Sequence, residues 1–165
     1  MSEPRDPAVI DAIFKAYDVR GTVPDQLDAS VARSIGGAFV RVVEASTVVV
    51  GHDMRPSSPD LAGAFAEGAA AAGADVVLIG LAATDQLYFA SGDLGHPGAM
   101  FTASHNPAQY NGIKLCRTHA QPVGMDTGLA EIREAVAAGD TPSAPASAAP
   151  SANAPAMPGE LGLMS

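Results

Sequence analysis

Short apolar runs recur along the chain at Thr47–Val50, Asp75–Gly80 and Gly98–Ala103, with helix-patterned segments between them, and this alternation restricts the fold most. The run Thr47-Val48-Val49-Val50 is β-branched and stops at Gly51, as a buried strand feeding a loop does. A strand that returns to its own sheet through a helix needs a crossover, so the pattern predicts a layered α/β domain with a largely parallel sheet between helices. Ile113–Cys116 reads as a fourth strand. The short link before it allows one antiparallel pair, which makes the expected sheet mixed.

The helical segments carry their own signals. From Asp28 to Ala45, the residues Val31, Ile35, Ala38, Phe39, Val42 and Val43 recur at spacings of three and four, which gives one apolar stripe, and Asp28 is placed to cap it. Ser57 or Ser58 is expected to start a second helix that runs to Gly73, with a serine accepting from the free N–H groups, Pro59 in the first turn and Asp60 complementing the positive end. Thr84–Ser91 reads as a short helix and Met125–Ala138 as the last one, with Leu129, Ile132, Arg133 and Val136 in register.

Composition bounds the rest. A chain of 165 residues that is 47% hydrophobic supports one globular domain. Between Thr141 and Pro158 there are five prolines, seven alanines, three serines and no charge, so that segment reads as linker. The expected division is a domain over residues 1–140 and a disordered tail over 141–165.

A formal charge of −9 with no Lys/Arg cluster argues against nucleic-acid binding. No apolar run approaches the roughly eighteen residues of a membrane span, and the acidic, proline-containing N-terminus does not read as a signal peptide, so a cytoplasmic protein is expected. The single cysteine, Cys116, excludes an internal disulfide and sits in the apolar run IKLCR as a small hydrophobe. His52, His96 and His119 show no metal-ligand spacing and read as loop residues.

The densest polar stretch is Thr102-Ala103-Ser104-His105-Asn106-Pro107, directly after a buried strand and before Tyr110-Asn111-Gly112-Ile113-Lys114. Open α/β sheets bind ligands in loops at the carboxyl ends of their strands. Pro107 keeps Asn106 out of the helical region, and Gly112 allows backbone conformations that other residues resist. A serine hydroxyl held in such a loop can carry a phosphoryl group if cations offset the charge of its ester. Lys114 could neutralise phosphate or exchange a proton with a sugar hydroxyl, while Asn106 could hydrogen-bond a phosphate oxygen. From spacing alone, an ordinary polar turn, with Ser104 and Asn106 bonded to local backbone and His105 exposed, explains the stretch equally well.

The string TASHNP resembles the phosphoserine signature of the α-D-phosphohexomutases, the phosphomannomutase/phosphoglucomutase family, and YNGIK matches the Asn-Gly-x-Lys stretch that follows it there. Upstream, Phe14-Lys15-Ala16-Tyr17-Asp18-Val19-Arg20-Gly21 is similar to the family's N-terminal segment, which runs close to the phosphoserine loop. Val49-Val50-Gly51-His52-Asp53-Met54-Arg55-Pro56-Ser57-Ser58 is similar to its Gly-x-Asp-x-Arg-x-Ser segment, where Asp53 and Arg55 read as a local charged network fixing the loop and the helix start. The resemblance covers about Ala12 to Gly139 and implies the first domain of such an enzyme.

It further implies that Ser104 carries the phosphoryl group, with Lys114, Arg20 and Tyr17 as further catalytic residues and His105 and Asn106 binding substrate or phosphate. The planar guanidinium of Arg20 suits a phosphate; the plain structural reading has Tyr17 in the core and Arg20 paired with an acid such as Asp18. Phosphorylated Ser104 would pass its phosphate to mannose or glucose 1- or 6-phosphate through a hexose 1,6-bisphosphate, with Mg²⁺ bound through the serine phosphate. Full-length family members have four domains. The Asp-x-Asp-x-Asp metal loop of the second and the sugar and phosphate loops of the third and fourth have no counterpart in this sequence. The isolated chain is therefore expected to lack efficient mutase activity. A noncatalytic sugar-phosphate-binding or interaction module is the first alternative. A serine hydrolase is a weaker one, since no Gly-x-Ser-x-Gly elbow occurs.

Overall fold

The computed structural model describes residues 7–103 and 106–139. The elements, in chain order, are α1 (Pro7–Ile13), β1 (Val19–Thr22), α2 (Ala29–Val43), β2 (Thr47–His52), α3 (Ser58–Ala71), β3 (Asp75–Leu81), α4 (Thr84–Leu94), β4 (Gly98–Phe101), β5 (Tyr110–Arg117), β6 (Gln121–Pro122) and α5 (Leu129–Ala137). The expected disordered tail at 141–165 lies outside the described residues.

The sheet has the order β1-β5-β4-β2-β3, with the two-residue β6 paired to β5. It is mixed, as expected. Parallel pairing is confined to β2 with β3 and β2 with β4, where α3 and α4 provide the crossovers. β5 returns antiparallel to β4 after a short loop and also pairs antiparallel with β1 and β6. The antiparallel share exceeds what the sequence pattern indicates because β1 and β6 are too short and too polar to stand out.

Alternate residues of the strands face different helix layers, as the period of two requires. Val48, Val50, Ala99, Phe101, Ile113 and Leu115 face the layer of α1, α2, α3 and α5. There Phe39, Phe65 and Phe101 form a chain of rings with centroids 5.9 and 5.4 Å apart. Val49, Met100 and Cys116 face the other way and pack on Leu87 of α4. β3 is an edge strand, so Leu78 and Leu81 stay mostly exposed despite their apolar run.

Helices α2 and α3 lie against each other at two glycines. A Cβ on Gly36 would overlap the carbonyl of Phe65, and one on Gly68 would overlap that of Arg33. Only hydrogen at these positions lets the backbones approach so closely.

Two helix ends differ from expectation. Asp28 caps α2 as predicted, accepting from the Val31 amide at 2.9 Å. At α3, however, Ser57 makes no side-chain cap bond, because its Oγ accepts instead from Asn111 Nδ2 at 2.8 Å. The segment expected as one helix from Met125 divides into a 3₁₀ turn, Met125–Thr127, and α5. Gly128 separates them with φ +132°, a conformation outside the helical range.

Candidate functional site

A tight turn before β1 sets up the site. The Lys15 amide donates to the Asp18 carbonyl at 2.7 Å, and Phe14 bridges to Val19, so residues 14–19 reverse the chain and deliver Asp18 to the start of the strand. β1 then pairs with β5, with Arg20 opposite Gly112 and Val19 opposite Ile113. This register brings Asp18, Arg20 and Lys114 together although Lys114 lies far along the chain.

Asp18 is the centre of that group. Its buried carboxylate accepts from Arg20 Nη2 at 3.2 Å to each oxygen, and Lys114 Nζ stands 3.4 Å from Oδ2. Side-chain exposures of 36% for Arg20 and 29% for Lys114 leave part of each cation open to solvent. One carboxylate thus holds two cations, and the group keeps a net positive charge able to attract an anion. The pairing of Arg20 with Asp18 considered from sequence is present, and Lys114 shares the same acid.

Gly112 works by size rather than by backbone freedom. Its φ is not positive, but a Cβ there would overlap the carbonyl of Val19 and lie 3.1 Å from that of Thr102. The glycine lets β1, β5 and the end of β4 meet at one point. Thr102 donates its amide to the Gly112 carbonyl at 3.0 Å, which starts the polar loop at the carboxyl end of β4.

The far side of that loop is held by the segment after β2. The Arg55 guanidinium donates from Nη1 to the carbonyls of Pro107 (2.8 Å) and Tyr110 (2.9 Å), and from Nη2 to that of Asn106 (2.8 Å). Asp53 supports Arg55, accepting its backbone amide at 3.0 Å and facing its Nε at 3.4 Å, and also accepts from Ser58 Oγ. Burial would raise the Asp53 pKa, but the hydrogen bonds from Ser58, the Arg55 amide and Thr102, together with the Arg55 charge, outweigh it and hold the pKa below its usual value. Asn111, fully buried, donates to Ser57 Oγ and Ser58 Oγ and accepts from the Gly112 amide, so β5 and the start of α3 are tied together.

The expected site residues are distributed as follows. Lys114 and Arg20 meet on Asp18. Asn106 is half-buried, with its amide on the Ala103 carbonyl at 3.0 Å. Tyr17 is 74% exposed rather than in the core; its ring lies over Gly124, beside an open hollow of about 450 Å³ that is also lined by Met125 and Asp126. Ser104 and His105 lie outside the described residues. The sequence reading missed Asp18 as a shared anchor, Asn111 as a buried tie and the reach of Arg55 to the loop. Each stands within a quoted string, Asp18 in FKAYDVRG, Arg55 in the segment from Val49 to Ser58 and Asn111 in YNGIK, but no string shows the distant partner.

The remaining polar groups are placed without chemistry of their own. His52 ends β2, with Nδ1 at 2.9 Å from the Asp53 carbonyl. Cys116 is buried beside Ser91, and burial pushes its thiol pKa up despite hydrogen bonds that act the other way, as for an inert core thiol. The Mg²⁺ site expected at the Ser104 phosphate lies outside the described residues; among those residues no cluster of three His, Cys, Asp or Glu exists, and Asp18 already faces two cations. Among the described residues no helix is long and apolar enough to cross a membrane.

The layered α/β domain thus has two cations beside the carboxyl end of a strand, where open α/β sheets place their ligands. Residues 11–143 match the family described as phosphoglucomutase/phosphomannomutase, alpha/beta/alpha domain I. Phosphohexose mutases of Xanthomonas campestris pv. campestris are 49% identical over 132 residues, 79% of this chain and 29% of theirs. A phosphomannomutase of Klebsiella pneumoniae is 46% identical over 121 residues, 73% of this chain and 77% of its own. The crystal structure of a phosphoglucomutase/phosphomannomutase family protein from Burkholderia thailandensis superimposes with a TM-score of 0.68 at 38% identity, covering 76% of this chain and 30% of that one. The chain belongs to the phosphoglucomutase/phosphomannomutase family and carries its domain I. It spans about 29% of the length of the Xanthomonas relatives.

Proposed function

We propose that this domain is the phosphoryl-carrying part of a hexose-phosphate mutase, with Ser104 as the carrier. The observation that supports this most is the convergence of Arg20 and Lys114 on Asp18, beside the strand ends that bracket the loop containing Ser104. In the forward step, an oxygen of mannose or glucose 1- or 6-phosphate attacks phosphorus on phosphorylated Ser104. The new sugar O–P bond forms as the serine O–P bond breaks, and the sugar hydroxyl proton ends on the serine oxygen. Lys114 is the group of suitable type and place to exchange that proton or to offset charge on the transferring oxygens, and Arg20 holds phosphate. Tyr17, His105 and Asn106 complete the proposed contacts to substrate.

The domain is taken to end near residue 140, just after α5. Carboxylates for Mg²⁺ and the groups that choose the sugar are assigned to polypeptide outside this sequence, in keeping with its 29% share of the Xanthomonas relatives. Purified chain given Mg²⁺ and glucose or mannose 1-phosphate is therefore expected to form no 6-phosphate in a coupled assay, while Ser104 accepts a phosphoryl group from a hexose bisphosphate. Sustained Mg²⁺-dependent turnover would refute the incompleteness of the site. Bisphosphate binding that survives Ser104→Ala, with no phosphate taken up by the unaltered chain, would instead favour a noncatalytic binding module.

A further inference from the structure

The segment after β2 was expected to fix its own loop and the start of α3, yet the geometry of Arg55 reaches across the molecule. Its Nη atoms donate to three main-chain carbonyls, those of Asn106, Pro107 and Tyr110, which lie between fifty-one and fifty-five residues later in sequence. Those carbonyls belong to the arm of the loop that directly follows Ser104 and His105. The Arg55 side chain is only 13% exposed, and its Nε side faces Asp53, which is itself fixed to Ser58 Oγ and to the Arg55 amide.

We infer that Arg55 is the positioning residue of the phosphoserine loop, acting by clamping its main chain rather than by binding phosphate. Three of the four Nη hydrogens go to neutral main-chain carbonyls, so this part of the clamp is a matter of shape. A planar fork can satisfy three acceptors at fixed angles, whereas a lysine ammonium on a flexible stem cannot reproduce that arrangement. The clamp also joins the start of α3 to the end of β4, since Asp53 donates its amide to the Phe101 carbonyl at 3.0 Å. In-line phosphoryl transfer depends on a well-placed serine oxygen, and a displacement near 1 Å costs about 100-fold in rate.

This inference rests on the carrier role proposed for Ser104, and its test separates the two. Arg55→Lys and Arg55→Ala chains are treated with glucose 1,6-bisphosphate, and the single-turnover rate of Ser104 phosphorylation is followed against bisphosphate concentration. For Arg55→Lys the limiting rate is expected to fall about 100-fold while the half-saturating concentration stays within about twofold, the signature of lost positioning without lost binding. Guanidinium ion added to Arg55→Ala is expected to recover part of the rate where ammonium does not. An unchanged limiting rate in Arg55→Lys, or a raised half-saturating concentration at normal limiting rate, overturns the inference.

If the unaltered chain takes up no phosphate, the carrier proposal fails, and hydrogen exchange then decides on Arg55 alone. The amides of Asn106 and Tyr110, which donate to Ala103 and Pro107, are expected to exchange at least about tenfold faster in Arg55→Lys, with core amides of β2 unaffected. Unchanged protection of both would contradict the clamp.

Discussion

Lys114 Nζ stands 3.4 Å from Asp18 Oδ2, ninety-six residues away in sequence, and Arg20 reaches the same carboxylate from the neighbouring strand. Asp18 therefore sets where the two cations of the site stand. Without it the two cations would lose the carboxylate they share. Asp18→Asn is expected to lower stability by about 1 kcal/mol, less than for a fully buried pair because both cations keep access to water. Urea unfolding checks this, and an unchanged midpoint would remove Asp18 from its central place.

The contact between α2 and α3 gives a sharper test of packing. Gly68→Ala places a methyl group against the Arg33 carbonyl and is expected to cost about 1–3 kcal/mol or more, since neither backbone can yield without parting the helices. Gly63→Ala, on the same helix with nothing within 4 Å of its new Cβ, is expected to stabilise by about 0.5–1 kcal/mol. Equal effects of the two substitutions in urea unfolding would contradict the close approach of the helices.

Acid should loosen the Asp53 network. A carboxyl whose pKa is lower in the folded chain than its ordinary 3.8 adds stability at pH values above 3.8 and loses that contribution as pH falls through the folded value. Asp53→Asn is therefore expected to be less stable than the unaltered chain at pH 7, with the difference shrinking as the pH is lowered below about 3.8. Thermal melting across that range checks the sign; a difference that widened in acid would mean that the folded pKa is raised.

The fold was legible where one residue type carried a strong signal. The β-branched run at Thr47–Val50, the apolar stripe from Val31 to Val43 and the Asp28 cap each state their own structure, and each is found. β1 was hidden because Val19-Arg20-Gly21-Thr22 has a single large apolar residue and takes its stability from pairing with distant β5. The unbroken helix expected from Met125 fails at Gly128, whose positive φ no periodicity reveals.

Legibility of the site divides along the same line. Lys114 and Arg20 stand within local strings and could be named from them. Asp18 as a double anchor, Ser57 as an acceptor for Asn111 instead of a helix cap, and Arg55 as a clamp all depend on partners more than fifty residues away or on a strand pairing with no sequence signal. Gly112 was singled out for conformational freedom, while its structural duty is to admit the Val19 carbonyl.

The proposed function stands on Ser104 accepting and donating phosphate. Intact-mass and peptide mass spectrometry of the purified chain, before and after incubation with glucose 1,6-bisphosphate, tests it directly. A gain of one phosphoryl group is expected on the peptide containing Ser104, absent in Ser104→Ala and slowed when Lys114 is replaced by methionine. No phosphate on that peptide at any bisphosphate concentration, or a phosphoryl group taken up equally by Ser104→Ala, would contradict it.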